Sequence, residues 1–409
     1  VIDCLGKPAL AGGVEETVRS LTAFVYLGVE ELVGLASEAG PSMASRVGWL
    51  LSEKGDEWHV DEGDLARLES ALGLGSRWSP NGLVRQMEAY PAREQGGDGV
   101  VDNALVREFP PRALDKVERL LNLLAELGEH PFLKDKIALH GGTAINLFML
   151  DAPRLSVDID LSYVGALDRD EMLAERPIVE RSIDEVARSQ GYPVSGARGG
   201  HAGRTFLLGY RSQWGPDHVK IDCIYMNRSP ILQPVLRETP VKPGAMVRTL
   251  ADAELAAGKV KAFFDRVKVR DLYDISNLKG VYETLEPGEQ ERVHRLALYY
   301  ASLSACFPKP FEGREQRFAD RLSELADQLY PMLRSSIEHP TLEALMEDAK
   351  RFVADWILPK TDREREYLER LAAGDYRPEL VFQDESMAKA AAVNPEALWK
   401  LENLRKIPR

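Results

Sequence analysis

Cysteine is scarce in this chain of 409 residues: Cys4, Cys223 and Cys306 are odd in number and far apart. That excludes a disulfide framework and a cysteine-rich zinc site, and it implies reduced thiols of the kind found in cytoplasmic proteins. No stretch approaches 18 apolar residues, so no membrane-spanning helix is expected. The opening VIDCLGKPAL lacks the basic-then-apolar layout of a secretory signal. No internal repeat is found. Basic residues are in deficit, 52 against 65 acidic, for a net charge of −13. That speaks against a general nucleic-acid coat but leaves room for a local basic groove. A hydrophobic content of 44% is enough to build real cores and excludes disorder over the whole length.

The acidity is uneven. Residues 1–100 hold 16 acidic and 8 basic side chains, a net −8, and the other 309 hold 49 and 44, a net −5. Such asymmetry suggests separate modules with separate partners. In residues 1–75, VEETVRSLTAFVYL, VEELVGLASEAG and SMASRVGWLLSEKG place apolar residues at helical spacing, and a further helix starts near Asp61. YPAREQGGDGVVD, residues 90–102, has no apolar period and reads as a linker. After the pair Pro110-Pro111 a long helix is expected to about residue 130, followed by the short strand KIALH. It stops at Gly141-Gly142, and TAINLFML is helical. LSVDIDLSYV alternates like a strand, and RTFLLGYRS and HVKIDCIYMN read as a hairpin around QWGPD. From Thr249 onward the pattern is helical, broken at Pro308, Pro340 and Pro359.

Asp158 and Asp160 carry the sharpest chemical signal. Alternate residues of a strand face one side, so the two carboxylates project together while Val157, Ile159 and Leu161 turn to the core. Two carboxylates within roughly 7 Å repel, and a hard divalent cation relieves that repulsion. A lone D-x-D is more often a solvated strand face. Here a strand, Gly141-Gly142-Thr143 and a helix start come just before it. Glycines at a helix N-terminus make a nest of backbone N–H groups that binds phosphate, and Thr143 could cap the helix or touch a phosphate oxygen. An anion cradle beside a carboxylate pair is what nucleotidyl transfer needs.

Asp222, in VKIDCIY on a later strand, could complete the metal site or accept a proton, or be an ordinary core-edge acid. Residues 242–270 hold seven basic and three acidic side chains, a net +4. Within them Lys259 can meet a polyphosphate as a point charge, and Arg270 and Asp274 share a helix face at i,i+4 spacing. On periodicity alone the stretch is a solvated basic face.

HGGTAINLF, RLSVDIDL, KID and AAGKVKAFFDRVKVRDLYDI, in this order, strongly resemble the AbiEii/AbiGii family of nucleotidyltransferase-fold toxins, which includes the mycobacterial MenT toxins. ERLAAGDYRPELVF and VNPEALWKLEN fit the family's late segments, so the resemblance runs from about residue 106 to the end. It implies an α/β nucleotidyltransferase core with a small mixed sheet and a large helical C-terminal part. By the resemblance, Gly141, Gly142 and Thr143 hold the triphosphate. Ser156, Asp158 and Asp160 match a Ser-x-Asp-x-Asp motif whose acids bind Mg²⁺ (or Mn²⁺). Lys259 orients the nucleotide, Asp271 or Asp274 supplies the last acidic motif, and Asp222 the third strand carboxylate. Ser156 corresponds to a residue phosphorylated in some relatives to silence the toxin. Gly258 stands where the family more often has Glu, which removes a supporting ion pair for Lys259.

VIDCLGKPALAGGVEETVRSL and MASRVGWLLSE resemble the C-terminal domain of AbiEi-type antitoxins, here without the winged-helix domain that normally precedes it. The resemblance implies an antitoxin remnant fused to its toxin, or a chain whose upstream piece is encoded elsewhere. A plain helical accessory domain is the other reading. The expected organisation is residues 1–92 antitoxin-like and mostly helical, 93–105 linker, 106–280 nucleotidyltransferase core and 281–409 helical C-terminal region.

The implied reaction transfers a nucleoside monophosphate from an NTP to an acceptor hydroxyl. Asp222 or one of the RDLYDI acids would take the proton. The family implies a tRNA 3′ end as acceptor, with Lys261, Arg266, Lys268 and Arg270, and the run Arg198, Arg204, Arg211 and Lys220, as candidates to follow the RNA backbone. An antitoxin, in cis or separate, is the implied protein partner. Nucleotidylation of a protein side chain is a second reading. A catalytically inactive fusion that binds nucleic acid or antitoxin is a third.

Overall fold

A computed structural model describes residues 104–199 and 202–406, together with 29–38 and the positions 44, 47, 48, 51, 63 and 65–68. The chain divides into two compact units, Val1–Val101 and Asp102–Arg409. In the first, α1 (Val29–Glu38) is helical as its 3–4 spacing predicts, with Leu32, Val33 and Ala36 buried. The other N-terminal helices expected from the sequence, and most of the linker, lie outside the described residues. Ala104–Arg107 is already a helical turn, so the linker's last two expected residues are not extended.

The second unit begins with α2 (Pro111–Glu129), which has proline at its first turn, where the missing N–H costs nothing. Val117, Leu120, Leu121, Leu124 and Leu127 recur on one face and are buried. Next come β1 (Ile137–His140), one helical turn α3 (Gly141–Ala144) that widens into a π-helical turn (Ile145–Met149), and β2 (Asp158–Tyr163). Helix α4 (Arg169–Ser189) is capped by Asp168, whose carboxylate accepts from the N–H groups of Asp170 and Glu171. The strands β3 (Val194–Gly199), β4 (Gly203–Ser212), β5 (Gly215–Ile224), β6 (Val235–Thr239) and β7 (Lys242–Thr249) follow. The β4–β5 hairpin is the one expected. β3 and the β6–β7 hairpin had no clear alternation in the sequence.

The seven strands form one mixed sheet in the order β3-β4-β5-β2-β1-β7-β6. β2 runs parallel to β5 and β1 parallel to β7, and the other pairs are antiparallel. Alternation sorts the sheet into two faces. Leu139, Ile159, Leu161, Phe206, Val219, Ile221 and Cys223 are all buried, in one core with the apolar side of α2 and buried residues of α4. The opposite face carries His140, Asp158, Asp160, Lys220 and Asp222.

Beyond the sheet the chain is helical: α5 (Asp252–Asp265), α6 (Val269–Glu283), α7 (Pro287–Leu303), α8 (Leu342–Trp356), α9 (Asp362–Ala372), α10 (Glu385–Ala392) and α11 (Pro395–Arg405). They share a second apolar core in which Phe263 stacks on Phe318 and Tyr282 packs against Phe352 and Trp356. The helical pattern read from Thr249 onward holds. Pro308, Pro340 and Pro359 lie between helices as expected, because a proline ring cannot continue the helical hydrogen-bond ladder, and further breaks fall at 266–268, 284–286, 373–384 and 393–394.

Candidate active site

The strand register builds the site. His140 pairs with Asp160 across β1 and β2, Asp160 with Asp222 across β2 and β5, and Asp222 with Thr205 across β5 and β4. Paired residues of neighbouring strands project to the same face, so Thr205, Asp222, Asp160 and His140 form one row. Asp158 lies two residues from Asp160 on the same face, opposite Lys220. The row opens into a cleft of about 350 Å³ lined by His140, Gly141, Asp160, Asp222, Gly258, Lys259 and Arg266. Glu254, Tyr300, Asn394 and Glu396 also line it.

The Gly-Gly turn is pinned to this row. Gly141 has φ +73°, and a Cβ placed there would fall 2.3 Å from Asp160 Oδ2. A Cβ on Gly142 would come within 3.1 Å of both Arg154 Nη2 and Ser156 Oγ. Gly141 is thus required by Asp160 and by its left-handed backbone, whereas at Gly142 a side chain would press on the ends of Arg154 and Ser156. Thr143 departs from expectation. It is fully buried, and its hydroxyl donates to the Asp158 carbonyl at 2.5 Å, so it ties the turn to β2 and is not available to cap the helix or reach a phosphate.

Burial pushes the Asp160 carboxyl upward, and the neighbouring carboxylates of Asp158 and Asp222 push the same way. A site that resists a further negative charge, lined by hard oxygen donors, fits a divalent cation. Among the described residues no cluster of three or more His, Cys, Asp or Glu closes on one point. Asp222 stands next to Asp160 in the row, with its carboxylate already partnered. Its carboxylate is engaged by Thr205 Oγ1 and Lys220 Nζ, both at 2.5 Å. Mg²⁺ needs only one or two protein carboxylates when substrate phosphates and water fill its shell, so Asp158 and Asp160 suffice as its holders.

Lys259 projects from α5 into the same cleft and is only 4% exposed. Its ammonium is 2.9 Å from Asp271 Oδ1 and 2.8 Å from Asp274 Oδ2. Burial alone would lower the pKa of this lysine. The two carboxylates outweigh it and raise its pKa. Asp274 in turn accepts from Arg154 Nε and Nη2, both at 2.8 Å, and from Asn146 Nδ2 at 3.1 Å. Despite burial, Arg154 and Lys259 hold the Asp274 carboxyl well below the usual carboxylate range. Asp271 is lowered likewise, against burial, by Lys259 and by Arg266, whose Nε donates to it at 2.8 Å. Neither Asp271 nor Asp274 lines the cleft. They hold Lys259 from α6.

Three expectations change here. Arg270 does not pair with Asp274, because burial turns Asp274 toward Arg154 and Lys259. The +4 stretch is not a free basic face. Lys261 is bound to Asp265 at 2.6 Å and Glu396 at 2.9 Å, Arg266 to Asp271, and Arg248 to Asp135 at 2.7 Å. Of the RNA candidates within this stretch, only Lys268 and Arg270 have no ion pair among the described residues. In the other basic run, Arg204 is held by Glu180 and Asp184 and Lys220 by Asp222, so only Arg211 is exposed and unpaired; the Arg198 side chain lies outside the described residues.

Ser156 is buried, 8% exposed, against Gly142. The late Trp-Lys segment divides its labour: Lys400 donates to the carbonyls of Ser304 and Phe307, and Trp399 is 60% exposed. Sequence reasoning missed Arg154, Asn146, His140 and the Glu396 wall. Arg154 had a signal, since Arg154, Ser156, Asp158 and Asp160 alternate without interruption. The others are brought in from separate elements by the fold.

A family model described as the nucleotidyl transferase AbiEii toxin of type IV toxin–antitoxin systems matches residues 122–354. No curated protein matches the sequence significantly. Among solved structures, the chain is similar to MenT4, a nucleotidyltransferase toxin from Mycobacterium tuberculosis H37Rv. The identity is 18% and the TM-score 0.41, over 71% of this chain and 91% of that one. It is also similar to JHP933 from Helicobacter pylori, with 15% identity and a TM-score of 0.38, over 65% of this chain and 97% of that one.

Proposed function

This chain belongs to the family of AbiEii nucleotidyl transferase toxins, and on that footing we propose that its cleft moves a nucleoside monophosphate from an NTP to an acceptor hydroxyl. The acceptor we assign is the 3′ end of a tRNA, whose blockage would halt aminoacylation. The observation that carries the reading is the contact of the Gly141 backbone with Asp160. It brings the turn whose amides we assign to phosphate against Asp160, one of the two carboxylates we assign to the cation.

The roles follow from that placement. The amides of the Gly141-Gly142 turn receive the phosphates, and Lys259, charged and facing the cleft, neutralises the departing pyrophosphate. The hydroxyl oxygen bonds to the α-phosphorus, the bond to the β-phosphate breaks, and the hydroxyl proton passes to Asp222, a cleft carboxylate in the same row as Asp160. Asp158 and Asp160 would hold Mg²⁺ or Mn²⁺. When bound, that ion supplies charge neutralisation at the reacting phosphate. Lys268 and Arg270 are the candidates to meet the RNA backbone.

The test incubates the protein with each α-labelled NTP, Mg²⁺ and a tRNA pool. Label on tRNA that is lost in Asp160→Ala supports the reading. Label confined to protein would replace the acceptor, and equal labelling by Asp160→Ala would remove the site.

A further inference from the structure

We propose that Arg154 is a positioning residue for Lys259: it fixes Asp274, and through it the lysine ammonium, in register with the phosphate-binding turn. This deepens the nucleotidyl-transfer reading and rests on it for its kinetic test. Arg154 is 2% exposed and sits in the segment that leads into β2. Its guanidinium spends Nε and Nη2 on the two oxygens of Asp274 and Nη1 on the Leu155 carbonyl at 2.9 Å. A bidentate fork fixes a carboxylate in angle as well as in distance.

The clamp determines where Lys259 points. An ammonium has three protons. Two are taken by Asp271 Oδ1 and Asp274 Oδ2, which leaves one for the cleft that Lys259 lines. If Asp274 turned, the two anchors would no longer be fixed relative to each other, and the third proton would lose its direction. Asp274 cannot hold itself. It lies on α6, and its fixed partners are Arg154, Asn146 and Lys259. Asn146, on the turn after Gly142, also donates to the Gly142 carbonyl at 2.9 Å. Arg154 Nη2 is 3.1 Å from where a Gly142 Cβ would stand. The Gly-Gly turn, Arg154, Asp274 and Lys259 are thus one connected body, and phosphate cradle and lysine keep a fixed separation. Five charges alternate along it, from Arg154 through Asp274, Lys259 and Asp271 to Arg266, for a net +1.

The test uses the full chain and four variants: Arg154→Ala, Arg154→Lys, Lys259→Met and the double variant Arg154→Ala/Lys259→Met. Turnover is followed as pyrophosphate release from a mixture of ATP, CTP, GTP and UTP with a tRNA pool. Arg154→Ala should lose about 100-fold in kcat/KM, as a misplaced group does. Arg154→Lys should fall between it and the parent, since lysine cannot fork. In the Lys259→Met background, Arg154→Ala should cost nothing further, because its effect runs through the lysine. Parent-like kinetics in a folded Arg154→Ala, parent-like kinetics in Arg154→Lys, or additive losses in the double variant would each overturn the proposal.

A second readout does not depend on turnover. In protein labelled with ¹⁵N-lysine, a slowly exchanging ammonium resonance assigned to Lys259 by its loss in Lys259→Met should be present in the parent and broadened away in Arg154→Lys. Its persistence there would also overturn the clamp. A parent that releases no pyrophosphate would count against the nucleotidyl-transfer reading, while the resonance still decides the role of Arg154.

Discussion

Lys259 Nζ lies 2.8 Å from Asp274 Oδ2, with 3% of one side chain and none of the other exposed. Such a pair is a commitment and not a surplus of stability. Removing one partner leaves an uncompensated charge in the interior, at about 3–5 kcal/mol. Asp274→Asn should therefore lower stability by about that amount in denaturant titration, whereas Lys268→Ala, on an exposed side chain, should change it by less than about 0.5 kcal/mol.

Gly141→Ala tests the contact between the phosphate turn and the carboxylate pair. A residue with a Cβ at φ +73° costs about 1–2 kcal/mol, and the methyl group would strike Asp160 Oδ2. Both stability and activity should fall. Gly142→Ala, whose neighbours are ends of the Arg154 and Ser156 side chains, should lose less stability. Equal melting temperatures for parent and Gly141→Ala would contradict the geometry.

Glu364 gives a pH prediction outside the site. Against the effect of burial, His294 and the backbone N–H groups of Lys360 and Thr361 hold its carboxyl down to about 2, from an ordinary 4.5. A depressed carboxyl contributes its full stability above pH 4.5 and loses it as pH falls toward 2. Glu364→Gln should therefore destabilise the protein at pH 7 and show a flatter acid limb between pH 4.5 and 2. An unchanged acid limb would show that Glu364 does not carry it.

What the sequence made legible divides along physical lines. The carboxylate pair, the glycine turn and Lys259 could be read because each is local: a period of two, a Gly-Gly break and a basic residue before an aromatic pair. Their partners could not. Nothing near Asp274 announces that it will turn from Arg270, four residues away, to Arg154, 120 residues away, because burial decides that choice. Lys261 has a local partner in Asp265, four residues on, but its second, Glu396, arrives only with α11. The β6–β7 hairpin escaped because its strands carry Arg237, Glu238, Lys242 and Arg248 where clear alternation was needed.

The acidic N-terminal segment yields a prediction from charge alone. With a net −8 over residues 1–100, it should repel RNA. Deleting residues 1–101 should strengthen tRNA binding in a filter or anisotropy assay at low salt, and the difference should shrink as salt rises. Weaker binding after the deletion would assign the segment to RNA recognition.

The most direct measurement is sequencing of tRNA 3′ ends after incubation with all four NTPs and Mg²⁺, for the parent and for Asp160→Ala. Nucleotides added to tRNA ends by the parent, and at least about 1,000-fold fewer by the variant, are the predicted result. Unaltered ends with the parent, or equal addition by Asp160→Ala, would contradict it.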